Sequence, residues 1–204
     1  MTQLCKLTDQ DMKTHKGFQW ELGVPSPVLP PGGKLCSGSF YHYYSHPYLA
    51  VLLNPVHANF ENPRLFLIKA EGEIVSDKGL KFGCKSMALL EEIPLPKITV
   101  TQKIAFAILC AKQVCKDEAW NAWADKWLSG EDRSEDAAWA ADRKTWARLE
   151  AAKSAAKSAA ESRTATWTAA RAAAEAAAWT AADVRTHSGN LDLIALAVEA
   201  VTNY

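Results

Sequence analysis

The sequence predicts an α+β chain in which a small antiparallel sheet domain with short helices, residues 1–98, precedes an all-α, alanine- and tryptophan-rich helical region, residues 99–204. Two observations carry the division. All nine prolines lie at or before Pro96, and eight of the ten glycines lie at or before Gly83, so the strongest breakers of regular structure crowd into the first half. In the second half, 22 of the 46 residues from Ala137 to Ala182 are alanine, the best helix former, with neither proline nor glycine among them.

Taken in order, Thr8-Asp-Gln-Asp11 resembles a capping box and predicts a short helix ending before Gly17. Phe18 to Leu22 reads as a strand, and Pro25 to Gly33 as a loop. Ser45 is placed to cap a helix over His46 to Leu53, with Pro47 in its first turn and Pro55 as its stop. Arg64 to Ala70, Leu80 to Lys85 and Met87 to Ile93 are β-rich and separated by the turn signals Glu71-Gly-Glu73 and Asp77-Lys-Gly79. Beyond Pro96, Thr101 is placed to cap a helix over Gln102 to Val114. Asp117 begins the next helix, in which Trp120, Trp123 and Trp127 share a face and Gly130 sits at the C-terminal cap. Ser134 starts a run to Arg185, and Asn190 is placed to cap a last helix with Leu191, Ile194, Leu196, Ala197 and Val201 on its apolar face.

The run from Ser134 to Arg185 would be about 78 Å long as one helix, too long to bury itself against a domain of about 100 residues. Trp139, Trp146 and Trp167 are whole heptads apart, and Trp179 lies near the same stripe. Indoles along an alanine rod need cover from another helix. Either the rod stays continuous and pairs with a second copy of the chain, the reading we favour because no strong breaker interrupts it, or it folds back near residues 162–166. A homo-oligomer, with a dimer preferred, is the expectation.

Lysine plus arginine equals aspartate plus glutamate at 23 each, and neither half carries the basic surplus that drives nucleic-acid binding. The five cysteines are irregularly spaced, and the start of the chain shows no signal-peptide core. Free thiols in a reducing cytoplasm are therefore expected. No stretch is apolar enough to span a membrane.

The candidate sites are few. Tyr41, His42, Tyr43, Tyr44, His46 and Tyr48 form an aromatic and histidine patch, read as a partner-binding surface. Cys36, His42 and His46, with His57 nearby, have zinc-capable chemistry but not the common paired-cysteine spacing, so no metal is assigned. Glu71-Gly-Glu73 has the Glu-x-Glu form used by some ADP-ribosylating enzymes, and with His42 it defines an alternative nucleotide-binding or ADP-ribosyltransferase-like reading. Neither a nucleophile elbow nor a phosphate-cradling glycine loop is present, and no catalytic residue or cofactor is assigned. The tryptophans Trp120, Trp123, Trp127, Trp139, Trp146, Trp167 and Trp179 are read as helix-packing residues.

Gly17-Phe-Gln-Trp-Glu-Leu-Gly23, Leu35-Cys36, Phe40-Tyr-His42, Pro47, Leu52-Leu-Asn-Pro55 and Glu92-Ile-Pro94 occur in an order that resembles a family of small phage and prophage proteins with an N-terminal mixed domain and an Ala/Trp-rich helical tail. Lys97-Ile-Thr-Val100 sits where such proteins often end their first domain. The resemblance implies an accessory protein made in an infected or lysogenic cell. It would bind a host protein, often a component of a defence system, as an inhibitor. A structural role in the virion is a further alternative. No site residue is carried over from the family.

Overall fold

The computed structural model describes residues 3–113, 115–134 and 191–204, with Val56 described in its backbone only. Its described residues form small antiparallel sheets and helices, an α+β protein. The chain divides into two compact units, Met1–Lys97 and Ile98–Tyr204. The readings placed on residues 135–190, including Trp139, Trp146, Trp167 and Trp179, lie outside the described residues.

In the first unit, β1 (Cys5–Thr8) pairs antiparallel with β5 (Arg64–Glu71), and β5 pairs with β8 (Ser86–Ile93). A second sheet orders β4 (Tyr41–Tyr43), β7 (Phe82–Cys84) and β6 (Val75–Ser76). The two sheets are continuous at both ends. Lys85 joins β7 directly to β8, and Tyr44, just past β4, exchanges two backbone hydrogen bonds with Cys5 of β1 at 2.9 and 2.8 Å. The ladders therefore close a circuit around one core, in which Trp20, Tyr43, Phe66, Met87 and Leu89 are each at most 3% exposed. The free edge of β8 is strapped by residues 23–29, since Gly23, Ser26 and Leu29 donate to the carbonyls of Leu89, Met87 and Lys85.

The start of the unit departs from expectation. Thr8 ends a strand, and the helix predicted from its capping-box pattern does not form. Asp9 Oδ1 instead accepts from the amides of Asp11 and Lys13 at 3.0 and 2.7 Å, closing a turn into the hairpin of β2 (Lys13–Thr14) and β3 (Phe18–Gln19). Cross-strand pairing of a fully buried Cys5–Thr8 outweighs one local cap. Within that hairpin, His15–Gly17 forms a 3-10 turn in which Lys16 has φ +60°.

Helix α1 (Pro47–His57) also differs. Its N-cap is His46, whose Nδ1 accepts from Tyr48 N at 3.1 Å, in place of Ser45, and Pro55 lies inside the helix rather than ending it. In the last turn Pro55 forfeits only one ladder bond, and the chain is carried on by Asn54, whose carbonyl accepts from Ala58 and Asn59. The Asn54 side chain then pins Phe60 by a reciprocal pair, Nδ2 to Phe60 O at 2.9 Å and Phe60 N to Oδ1 at 3.2 Å.

In the second unit, α2 (Val100–Lys112) opens at Thr99 rather than Thr101. Thr99 and Gln102 complete a reciprocal capping box that Thr101 lacks the spacing to make. The eight residues Ile104 to Ala111 are all buried, and a helix apolar on every side is covered on every side. α3 (Glu118–Ser129) is capped by Asp117 and ends at Gly130 in the left-handed region, φ +80°. Trp120, Trp123 and Trp127 are 0%, 5% and 3% exposed, and Arg133 lies over the Trp127 ring at 4.8 Å. α4 (Leu193–Asn203) is capped by Asp192 and packs on α2, where Gln102 Nε2 donates to Val201 O at 2.9 Å; Asn190, expected as its cap, lies outside the described residues. Leu193, Leu196, Ala197 and Ala200 are its buried residues; Ile194 and Val201 are half-buried. Among the described residues no helix is long and apolar enough to cross a membrane.

Candidate functional site

A half-open cavity of about 830 Å³ lies in the first unit, within the range that holds small molecules and cofactors. Five separate stretches build it: the buried strand β1, the His15–Gly17 turn, the loop leading into β4, the end of α1, and the turn before β7. Its ionisable lining is one-sided. Lys6, Lys16, Lys81, His15, His42 and His57 face it, and no carboxylate does among the described residues. The three lysines form no ion pair among those residues.

Each cation is held differently. Lys6 sits on β1, only 6% exposed, with Nζ donating to His42 O at 2.8 Å and lying 5.0 Å from the centre of the Trp20 ring. Burial pulls its ammonium down to about 8. Lys16 occupies the left-handed region on an exposed turn, a costly conformation for a residue with a Cβ, and strain of this kind collects at binding sites. Lys81 follows the turn in which Lys78 and Gly79 have positive φ.

The histidines respond to this company. His42 Nε2 donates to Leu35 O, and its basicity is lowered first by burial and then by Lys6, Lys81 and His15, against a raising effect from the Leu35 bond. His57 stacks on Tyr44 at 5.8 Å and shares a 3.1 Å hydrogen bond with its hydroxyl. Burial, then Lys81 and His42, push it down to about 4. Both imidazoles are therefore neutral near pH 7 and serve as hydrogen-bonding groups, leaving the fixed positive charge to the lysines.

Aromatic rings form the apolar wall. Phe18 packs edge-on against Trp20 at 4.8 Å and against Tyr41 at 5.3 Å, and Tyr41 donates its hydroxyl to Pro27 O at 3.2 Å. Phe18, Tyr41 and Phe60 line the cavity and are half-buried, so each keeps ring surface available. The loop that carries Cys36 to Phe40 into the cavity is latched by Lys85. This buried residue donates Nζ to Gly32 O at 2.5 Å and Ser39 O at 3.0 Å, and lies 3.5 Å from the centre of the Phe40 ring.

The residues singled out from the sequence do not form one surface. Tyr43 and Tyr44 are 3% and 6% exposed: Tyr43 belongs to the core, and Tyr44, just past β4, is buried where it lines the cavity beside His57. Tyr41 and His42 face the cavity, His46 caps α1, and Tyr48 is half-buried beside it, 4.9 Å from the His46 ring. Cys36, His42 and His57 all line the cavity, yet among the described residues no three such side chains are grouped to hold a metal ion. Glu71 pairs with Lys69, and Glu73 accepts from Gly32 N at 3.1 Å and lies 3.8 Å from Lys85. Neither lines the cavity that holds His42. The thiols of Cys5 and Cys84 are driven up to about 12 and about 11 by burial, and Cys110 is driven up by the same cause, so these three are packing groups.

Lys6, Lys16, Lys81 and His15 carried no signal in the sequence. They lie up to 75 positions apart and meet only once β1 and β4 have paired. Family models, curated proteins and solved structures yield no match to this chain.

Proposed function

We propose that this chain is a phage-type accessory protein of the bacterial cytoplasm that works by binding rather than catalysis, and that its N-terminal unit captures an anionic ligand in the basic cavity. One observation carries the reading: three lysines without carboxylate partners and three histidines converge on a half-open space that no acidic side chain lines among the described residues. Low-dielectric walls strengthen the attraction such a cavity exerts on an anion. The setting follows from the resemblance described above, and host-directed inhibition is the role that fits it. The helical unit, read as an alanine- and tryptophan-rich all-α region, would supply self-assembly or contact with a host protein. Its capped α2 and α3, with Trp120, Trp123 and Trp127 buried, support the helical reading of this unit.

Calorimetric titration of the full chain with pyrophosphate at low salt tests the cavity. Saturable binding should weaken as salt screens the charges. It should fall by about tenfold or more in a K16A/K81A double variant, a loss of roughly 1.4 kcal/mol. Equal binding by the double variant, or none by the wild type, would end the reading. Sedimentation of the same sample addresses assembly, and a monomer at every concentration would remove that part.

A further inference from the structure

We infer that the ligand of this cavity is a nucleotide, its phosphates held by the lysine side and its base laid against the aromatic wall. The inference rests on the anion-binding reading and adds to it the second half of the lining. A site for a simple inorganic anion needs converging cations or amides and little else. This one spends Phe18, Tyr41 and Phe60 on an apolar surface beside Lys6, Lys16 and Lys81. The rings are positioned rather than loose. Phe18 and Tyr41 brace each other and Trp20 at 4.8–5.3 Å, and Phe60 is fixed through its backbone by Asn54.

The open face of any one of these rings offers stacking to a base. The neutral imidazoles of His42 and His57 add groups that donate or accept to a sugar hydroxyl or base edge. The volume of about 830 Å³ exceeds what a lone phosphate fills and suits a phosphate joined to a sugar and base. A protein or nucleic-acid strand would need basic surface running beyond the cavity, and the unit as a whole has almost balanced charge, ten basic against nine acidic side chains in residues 1–100.

The test compares pyrophosphate, ADP, UDP and adenosine as ligands of the full chain by calorimetry, with saturation-transfer NMR on the wild type. The expected pattern is that a nucleoside diphosphate binds about tenfold or more tightly than pyrophosphate, while adenosine alone binds weakly. Saturation should reach the base protons. F60A should weaken the nucleoside diphosphates about tenfold more than it weakens pyrophosphate. If that variant fails to fold, the wild-type NMR contact decides the matter alone. Equal affinity for pyrophosphate and the nucleotides, with no saturation at the base, overturns the nucleotide inference and leaves the anion site intact. No binding of any of the four overturns both.

Discussion

Replacing Lys85 by methionine should loosen one wall of the cavity without touching the ligand-facing charges. The substitution keeps an unbranched apolar stem over Phe40 and deletes only the ammonium. That ammonium donates to Gly32 O at 2.5 Å and Ser39 O at 3.0 Å, and lies 3.8 Å from Glu73. The Glu73 side chain is 46% exposed, so that pair contributes little after solvent screening. Gly32 is exposed and its carbonyl can rehydrate, whereas Ser39 is half-buried and its carbonyl loses a charge-assisted bond. Loss of the cation over Phe40 adds to this, and relief of the lysine's own desolvation subtracts. The net cost is about 2 kcal/mol, of which the Ser39 contact is the larger share. For a unit of this size that corresponds to a melting temperature lower by roughly 8–16 °C. Urea-dependent amide exchange, read separately in peptides of residues 30–44 and of α2, distinguishes the first unit from the second. Faster exchange at residues 32–40 with α2 unchanged is the expected result. Unchanged exchange and stability would show that the ammonium does not hold the loop.

Gly83→Ala should destabilise the same region by about 1–3 kcal/mol in urea unfolding, because the new Cβ would lie 2.5 Å from Leu35 Cδ1 and 2.8 Å from Phe40 Cβ. His57 predicts an acid-side pH dependence. Its folded value of about 4 lies below the ordinary 6.5, so the unfolded chain binds more protons between these values, and stability present above pH 6.5 is lost as pH falls through 4. The full effect is about 3 kcal/mol. Urea midpoints for wild type and His57→Phe across pH 4–7 check it, with a shallower slope expected in the variant. Asp117→Ala removes the N-cap of α3 and should cost about 1 kcal/mol, seen as faster amide exchange in residues 118–122.

The parts of the fold legible in the sequence are those whose evidence is local. Arg64 to Ala70 and Met87 to Ile93 carry enough β-forming residues between turns to declare themselves, and α3 is framed by Asp117 and Gly130 within fourteen positions. β1 was hidden because Thr8-x-x-Asp11 imitates a helix start, and the partner that overrides it, Arg64–Leu67, lies more than fifty positions away. β4 is three residues long, so its burial of Tyr43 is decided by pairing with β7 and not by its own pattern. Thr99 and Thr101 differ only in whether a glutamine follows at the third position, and Gln102 selects Thr99. Of the cavity, Tyr41 and His42 are visible within the aromatic and histidine patch, and Cys36, His42 and His57 as zinc-capable side chains to which no metal is assigned. Isolated lysines have no motif, and a constellation drawn from positions 6, 16 and 81 exists only after the two sheets have joined.

Zero net charge and a strongly positive cavity are compatible because the fold sorts its charges. The exposed strands pair their acids in place: Arg64 with Glu92 at 2.6 Å, Lys69 with Glu71 at 2.7 Å, and Lys13 with Asp11 at 3.7 Å. Glu73 is held at the outer face of the loop by Lys85 and the Gly32 amide. Carboxylates so engaged are withheld from the cavity, where Lys6, Lys16 and Lys81 remain uncompensated among the described residues. Beyond the larger effect of burial, Lys6, Lys81 and His15 lower His42, and Lys81 and His42 lower His57, as an uncompensated positive lining requires. A balanced composition therefore argues against an extended polyanion as ligand, whose affinity depends on many basic contacts. It does not argue against a small anion, for which three cations lining one cavity suffice. If the sorting is what gives the cavity its field, a carboxylate introduced at its rim by Ser37→Glu should raise the basicity of both histidines while leaving the sheets intact. NMR titration of the imidazoles would register that rise, and unmoved titration curves would show that the lysines do not control the potential inside.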